Sequence, residues 1–230
     1  MDKRGKLIVI DGSDGSGKAT QTKLLVERLA REGVVVHSLD FPRYKANLMG
    51  ALIGEAIAGD HGDFVHLDPF ITSVIFAADR FESSDMIKQW LSHGDMVVLD
   101  RFVSANQIHQ GGKIADTRKR TKFLTWLDKL EYGVFGLPKP DITIYLYMPL
   151  RHSLALLKEK QAQSRKSYIK KGKVDTFEND TNFLKNALKS AEFLMKHSKN
   201  WHKISCAVRD TIRTREEIHE DVFRLIKPMI

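Results

Sequence analysis

The sequence predicts a three-layer α/β/α fold with a five-stranded parallel sheet between two layers of helices. Short runs of β-branched and aliphatic residues alternate with segments of helical periodicity, the order that joins parallel strands by helical crossovers. A glycine-rich turn, Gly12–Lys18, lies between the first strand and the first helix. With 230 residues, the chain is long enough for a substantial core, and the pattern favours a single domain, 1–230.

The elements follow from local patterns. Four aliphatic residues from Leu7 make the first strand, and Leu24, Leu25 and Leu29 give the first helix an apolar face. Aspartate, proline and glycine mark helix boundaries, as Asp68 and Pro69 do here. The predicted strands are Lys6–Asp11, Val34–Leu39, Met96–Asp100, Ile142–Met148 and Lys203–Val208. The predicted helices are Lys18–Arg31, Asn47–Ala58, Pro69–Ser83, Asp85–His93, Arg118–Tyr132, Leu150–Ala162, Asp180–Lys199 and Arg215–Ile226.

Composition narrows the class of protein. A single cysteine, Cys206, excludes an internal disulfide framework and fits a reducing, cytoplasmic location. No apolar stretch approaches the roughly 20 residues of a membrane span, and no secretory signal precedes the first strand. The net charge of +8 raises nucleic-acid binding as an alternative, but the lysines are spread over many segments, so we expect no nucleic-acid partner.

The turn after the first strand has the spacing of a phosphate-binding loop. Gly12, Gly15 and Gly17 allow the backbone N–H groups to turn inward, while Lys18 and the helix N-terminus add positive charge. Such a loop binds the phosphates of a nucleoside triphosphate. Ala19 stands where a Ser or Thr hydroxyl usually ligates Mg²⁺, so one alternative is a loop that binds nucleotide without turnover.

Polar residues also follow the second and third strands, at the sheet edge where ligands bind in such folds. Asp100 could hold Mg²⁺ or its waters, and Arg101 could grip a phosphate. Their plainer interpretation is a helix cap and a surface arginine. The turn Phe41-Pro42-Arg43 directs a second arginine towards the same edge.

An aromatic residue and an arginine, Phe76 and Arg80, are four residues apart on one predicted helix. Both can lie on one helix face, where they could stack on a base and hydrogen-bond it. Asp79 beside Arg80 suggests a charged pair facing a pocket, although Phe76 could equally belong to the core. The polar, basic segment Gln161–Glu178 is interpreted as a mobile lid, with a surface loop of no special role as the alternative.

Taken together, these motifs resemble the thymidylate kinase (dTMP kinase) family of phosphate-loop nucleoside monophosphate kinases. The resemblance covers nearly the whole chain. It depends on the segments Gly12–Gln21, Phe41–Arg43, Phe76–Arg80, Asp100–Phe102 and Gly136–Asp141. It implies a kinase-type phosphate-loop fold and phosphorylation of dTMP to dTDP by ATP with Mg²⁺. It also implies a homodimer.

The resemblance assigns roles residue by residue. It implies catalytic roles for Lys18, Asp100, Arg101 and the lid residue Arg165, and metal binding at Asp14 and Asp100. The implied ATP-binding residues are Gly12, Ser13, Asp14, Gly15, Ser16, Gly17, Lys18, Ala19 and Thr20. The implied dTMP-binding residues are Asp14, Phe41, Arg43, Phe76, Arg80, Arg101, Asn106 and Gln110.

The sequence departs from the family pattern at a few positions. Arg43 follows Pro42 directly, so Lys45 is a rival for its role. His109 stands where an aromatic residue is common near the sugar, and Ala105 where serine is common. A kinase for another nucleoside monophosphate or for a deoxynucleoside is therefore the nearest alternative.

Overall fold

A central parallel sheet organises the computed structural model, which describes residues 4–163 and 180–230, without the side chains of 160–163. The strand order is β2-β3-β1-β4-β5, and the parallel neighbours confirm the predicted fold class. The strands are β1 (Leu7–Gly12), β2 (Val36–Asp40), β3 (Met96–Asp100), β4 (Ile142–Tyr147) and β5 (Trp201–Ser205).

The register brings the polar strand ends together. Ile10 of β1 pairs with Asp100 of β3, and Asp40 of β2 pairs with the same residue. Because β1, β2 and β3 are parallel, the three segments that follow them leave the sheet at one edge. The residues from Gly12, Phe41 and Arg101 onward therefore start from a common side of the molecule.

Helices cover both faces of the sheet. They are α1 (Lys18–Arg31), α2 (Leu48–Ile57), α3 (Pro69–Phe81), α4 (Ser84–Ser92), α5 (Val103–Gly112), α6 (Thr117–Asp128), α7 (Leu150–Gln163), α8 (Thr181–His197) and α9 (Arg215–Ile226). Asp68 caps α3 by accepting from the N–H of Phe70 at 2.8 Å, as its position predicted. Thr214 and Glu217 form a reciprocal capping box on α9.

The core lies in separate layers on the two faces. On one face, Ile8 and Ile10 of β1 pack with Leu25 and Leu29 of α1 and with apolar residues of α9. On the other face, Leu7, Val9, Val97 and Leu99 pack with α4 and with the start of α5. Residues of α5 and α8 pack with β4 and β5 on this second side. Alternate residues of β1 thus face opposite layers, as expected for a strand buried on both sides.

The structure differs from the sequence prediction at several elements. Helix α5 was not predicted, and a six-residue π-helical turn, Lys129–Val134, follows α6 where a continuous helix was expected. The fifth strand was predicted too late, because it begins at Trp201, and Ala207–Val208 instead pairs with Thr211–Ile212 in a small antiparallel hairpin. Most of the segment expected to form the lid, residues 164–178, lies outside the described residues.

Within the described residues, no helix is both long enough and apolar enough to cross a membrane. Cys206 is a free, buried thiol, and burial raises its pKa to about 12. The thiol therefore remains protonated near neutral pH, and its low thiolate content makes it a poor nucleophile.

Candidate active site

The loop between β1 and α1 is built around glycine. Gly15 and Gly17 have φ of 79° and 88°, in the left-handed region that disfavours other residues. A Cβ at Gly12 would lie 2.6 Å from the carbonyl oxygen of Leu146 and 2.7 Å from Oγ of Ser16, so a side chain does not fit there. The loop therefore keeps its backbone close to whatever its N–H groups bind, which is what a phosphate site requires.

Lys18 lies at the start of α1 with its ammonium folded back over the loop. Its Nζ donates to the carbonyl oxygens of Gly12 and Ser13, both at 3.0 Å, and lies 3.5 Å from Oδ1 of Asp14. Burial, together with the charge of Arg101, lowers the pKa of Lys18, whereas Asp14, Asp100 and Asp11 oppose that shift. The side chain is a buried cation whose described partners are all oxygen atoms, a position from which it can bind a phosphate.

Arg101, directly after β3, has a strained backbone with φ of 66°. Its Nη2 donates to Oδ1 of Asp14, and its Nη1 lies 3.9 Å from Oδ1 of Asp11. Burial lowers the pKa of Arg101, but the carboxylates of Asp14, Asp11 and Asp100 outweigh it and raise that pKa above its ordinary value. The guanidinium is thus a permanent charge at the sheet edge, beside the phosphate-binding loop.

His109 supports Arg101 from α5. Burial and the charge of Arg101 lower the pKa of His109 to about 4, so its ring is neutral near pH 7. Nε2 of His109 therefore accepts the hydrogen bond from Nη1 of Arg101 at 2.8 Å, and Nδ1 carries the proton. The ring also stacks on Phe183 of α8, with 5.6 Å between centroids. His109 thereby restricts the orientation of Arg101.

Asp11, the last polar residue of β1, was missed by sequence reasoning. Its carboxylate is fully buried, accepting from the N–H of Gly12 at 2.8 Å and from Oγ of Ser104 at 2.6 Å. These bonds connect β1, the loop and the start of α5. A charged residue at the end of a strand that is otherwise aliphatic is the one sequence signal that could have identified it.

Asp100 differs from the other acidic residues of the site. Burial raises its pKa to about 6, although Lys18 and Arg101 favour its charged form. Its carboxylate makes no hydrogen bond to any described residue, whereas Asp14 is already engaged by Arg101 and Lys18. Of the two predicted metal ligands, Asp100 is therefore the one whose carboxylate is available to bind a metal ion.

The site fits Mg²⁺ held mainly by a nucleotide and water. The described residues contain no group of three or more His, Cys, Asp or Glu side chains able to hold a metal ion. Mg²⁺ in nucleotide sites commonly uses one or two carboxylates and keeps several waters. Ala19 is exposed and supplies no ligand, but Oγ of Ser16 is buried inside the loop and makes no hydrogen bond to a described residue. An unpaired hydroxyl and an open carboxylate suit a bound, hydrated cation and its phosphates.

Asp79 does not form the pocket-facing charged pair with Arg80 that was expected. It is fully buried, with its carboxylate 3.3 Å from the N–H of Arg43 and 2.8 Å from Nδ2 of Asn47. Asp79 therefore fixes the turn after β2 and the N-terminal cap of α2. The side chain of Arg43 donates from Nη1 to Oγ of Ser83 at 2.9 Å, and the rival residue Lys45 is exposed.

The two aromatic residues of the predicted dTMP site have different surroundings. Phe41 is buried beside Phe102, with 5.7 Å between ring centroids, and belongs to the core. Phe76 is half-buried and packs on Phe64 at 5.9 Å. The more accessible ring of Phe76 is the better candidate for contact with a base, and Phe41 supports the turn that carries Arg43.

Arg80, predicted to face a base, forms a buried ion pair. Its Nε and Nη2 donate to the carboxylate of Glu131 at 2.7 and 2.6 Å. Asn106 donates to the same carboxylate at 2.9 Å. The structure thus brings Arg80 and Asn106 together, and Glu131 is a further residue that sequence reasoning missed. Gln110, one turn after Asn106 on α5, has a buried Oε1 that bonds no residue in the described part of the chain.

The last predicted site residue, Arg165, lies outside the described residues. The remaining predicted residues group into two regions. The loop residues Gly12–Thr20 lie with Asp100 and Arg101 around the ends of β1 and β3. The second region is formed by Phe76 and Arg80 on α3 and by Asn106 and Gln110 on α5, and Phe41 and Arg43 belong to the turn after β2.

Comparison with known proteins identifies relatives over most of the chain. A family model for thymidylate kinase matches residues 10–218. A human thymidylate kinase is 30% identical over 226 residues, covering 96% of this chain and 89% of its own length. A thymidylate kinase of Mycobacterium tuberculosis is 32% identical over 140 residues, which span 61% of this chain and 64% of that protein.

A solved structure shares the fold. It is described as a thymidylate kinase from Candida albicans with broad substrate specificity and a novel structural element. It superposes with a TM-score of 0.73 at 21% identity, covering 98% of this chain and 92% of that one.

Proposed function

Because this chain belongs to the thymidylate kinase family, we propose that it transfers the γ-phosphoryl group of ATP to dTMP, giving ADP and dTDP. The observation that carries the proposal is the pairing of two cations around the loop. Among the described residues, Lys18 bonds two loop carbonyls and Asp14, and Arg101 approaches the same Asp14 from the end of β3. Two fixed positive charges at one anion site suit phosphoryl transfer between two phosphate-bearing molecules.

The chemistry needs positioning and charge neutralisation more than a base. The attacking group is a phosphate oxygen of dTMP, which is already ionised near neutral pH, so no proton must be removed from it. Lys18 faces the loop that binds the triphosphate, and Arg101 holds the acceptor phosphate. A bound Mg²⁺ would neutralise phosphate charge, and Asp100 is the carboxylate open to hold it.

The acceptor site lies between α3 and α5 in this proposal. Phe76 stacks on the base, Arg80 and Asn106 hydrogen-bond its edge, and Gln110 contacts the sugar or base. Arg43 lies near this region, and its side chain donates to the hydroxyl of Ser83. To bind the dTMP phosphate, the side chain would have to break this hydrogen bond. Arg165 and the segment 161–178, most of which lies outside the described residues, keep their proposed roles as catalytic arginine and lid.

A homodimer is part of the proposal. Several large apolar side chains are exposed on α2 and α3, including Leu48, Ile71 and Phe81. Exposed apolar residues of this size are typical of protein–protein contact surfaces where they lie next to one another. Light scattering of the purified chain measures its mass in solution, and a monomer at micromolar concentration would contradict this part. We also place the protein in the cytoplasm, because its one cysteine is a buried free thiol.

The direct test is a coupled ADP-release assay. The purified chain is incubated with ATP, Mg²⁺ and one of dTMP, dUMP, UMP, AMP, GMP or CMP. The proposal expects dTMP to give the highest kcat/KM. Turnover with a purine monophosphate alone would favour a kinase for another nucleoside monophosphate. Nucleotide binding without any turnover would favour a loop inactivated by Ala19.

A further inference from the structure

A fully buried carboxylate, Glu131, joins the two side chains proposed to recognise the base. Glu131 lies in the π-helical turn Lys129–Val134, a kind of helical irregularity often found at functional sites. Its oxygens accept from Nε and Nη2 of Arg80, and Oε1 also accepts from Nδ2 of Asn106. An isolated charge so deeply buried is costly, so these three bonds account for its presence.

The bonds of Asn106 determine which end of its amide is available. Nδ2 donates one hydrogen to Glu131 at 2.9 Å and the other to the carbonyl oxygen of Ser73 at 3.0 Å. Rotating the amide by half a turn would place Oδ1 against two acceptors, which is unfavourable. Oδ1 therefore keeps its orientation, and it makes no hydrogen bond to any described residue. Asn106 presents an acceptor to a ligand.

The bonds of Arg80 leave a donor available in the same way. Glu131 engages Nε and Nη2, and the side chain is only 2% exposed, so the guanidinium cannot swing into solvent. Nη1 has no partner among the residues that the structure describes. Arg80 and Asn106 share one oxygen of Glu131, so their positions are set by one group.

We propose that Glu131 is a positioning residue that determines which pyrimidine is accepted. This inference rests on the proposed function. The thymine edge has an N3–H donor next to a C4 carbonyl acceptor. Asn106 Oδ1 matches the donor, and Arg80 Nη1 matches the carbonyl. Cytosine has the reverse pattern, an N3 acceptor next to an amino donor, so it would meet acceptor against acceptor and donor against donor.

The charge of Glu131 is essential to this selection. A carboxylate only accepts hydrogen bonds, so it requires donors from both neighbours. In Glu131→Gln the new amide nitrogen faces a donor of Arg80 in either orientation, because Arg80 donates to both oxygens of Glu131. The guanidinium then keeps only one of its two bonds to residue 131, so Nη1 is no longer held in place opposite the C4 carbonyl of the base. The substitution should weaken selection while leaving the phosphate-binding loop unaltered.

The experiment compares the kcat/KM values for dTMP and dCMP in wild type, Glu131→Gln and Glu220→Gln. Glu220 is a matched control because it is an exposed carboxylate paired with an arginine, Arg28, away from the proposed base site. The ratio of the two values is independent of the fraction of active protein. We expect the dTMP preference to fall at least tenfold in Glu131→Gln and to stay within twofold of wild type in the control. An unchanged preference in a folded Glu131→Gln would overturn the proposal.

Two further measurements keep the test decisive. If Glu131→Gln does not fold, a crystal structure of the wild type with dTMP decides. Glu131 must still bridge Arg80 and Asn106, with Asn106 Oδ1 on N3 of the base, and a broken bridge refutes the proposal. Calorimetric titration of dTMP and dCMP measures base selection without turnover. An inactive wild type that still prefers dTMP would refute the catalytic function alone, and a wild type that binds neither would refute both.

Discussion

Replacing Asp100 by asparagine should make the unliganded protein more stable while impairing its activity. Burial raises the pKa of Asp100 from its ordinary 3.8 to about 6, so the folded protein disfavours the charged carboxylate. A shift of this size corresponds to about 3 kcal/mol between the two protonation states. Asparagine resembles the neutral carboxyl group and avoids that cost.

The stability difference between Asp100→Asn and wild type depends on pH. Below pH 3.8 Asp100 is protonated in both the folded and the unfolded chain, so it contributes no difference. As the pH rises towards 6, the unfolded chain loses this proton first, and the folded state becomes less stable by an amount that grows to about 3 kcal/mol. Above the folded pKa of about 6 the cost is constant.

Urea denaturation from pH 3.5 to 8 measures this effect. The free energy of unfolding of Asp100→Asn should equal that of wild type near pH 3.5 and exceed it by up to about 3 kcal/mol at pH 7. Asp85→Asn, at a fully exposed carboxylate on α4, should differ from wild type by less than about 0.5 kcal/mol throughout. A loss of stability at pH 7 in Asp100→Asn, or a difference that does not vary with pH, would refute the reasoning.

Further predictions concern the loop and its neighbouring cation. Lys18→Ala should lose at least 90% of its activity with an unchanged circular dichroism spectrum. The reason is that the loop loses its buried cation, which contributes roughly several kcal/mol of transition-state stabilisation. Lys122→Ala, at an exposed lysine, is the control. Arg101→Ala should weaken calorimetric binding of dTMP more than that of ATP, and equal weakening would contradict its assignment. Ala19→Ser should cause only a modest decrease in the Mg²⁺ concentration that gives half-maximal activity. If wild type were inactive and Ala19→Ser were active, the loop of the wild type would instead be degenerate.

The phosphate-binding loop could be predicted because its determinants are adjacent in the sequence. A buried strand, three glycines, Lys18 and a helix occur within one short segment, and the positive φ angles of Gly15 and Gly17 are local properties. The sheet could be predicted for a similar reason, since strands buried on both faces appear as continuous aliphatic runs. The polar ends of those strands then meet at one edge because the strands are parallel.

Helix α5 could not be predicted because tertiary packing stabilises it. The segment Val103–Gly112 ends in two glycines, which disfavour a helix when judged locally. In the structure a Cβ at Gly112 would lie 2.9 Å from the backbone of Ala187, so glycine is what allows α8 to pack closely. Ser190 of α8 also donates to the carbonyl oxygen of Gln107 at 2.9 Å. The feature that hides the helix in the sequence is the one that holds it in place.

The carboxylates that sequence reasoning missed or assigned to another role bond partners that are remote in sequence. Glu131 bonds Arg80 from 51 residues away, and Asp79 bonds the backbone of Arg43 from 36 residues away. Hydrophobic periodicity gives no information about such pairs. It identifies which positions are buried, and the partner of a buried charge is decided by how the helices are brought together.

The buried carboxylates of the two regions separate into two kinds by their hydrogen bonds. Asp11, Asp79 and Glu131 each accept from backbone or side-chain donors, and each fixes a neighbouring group. Asp100 accepts from no described residue, and burial destabilises its charged form at neutral pH. The burial of a carboxylate that accepts hydrogen bonds is explained by the protein groups that donate them. A buried carboxylate without such donors instead needs a positively charged partner that the protein does not supply. A cation bound with the nucleotide would compensate that charge, so a substrate complex would offset the cost of burying Asp100.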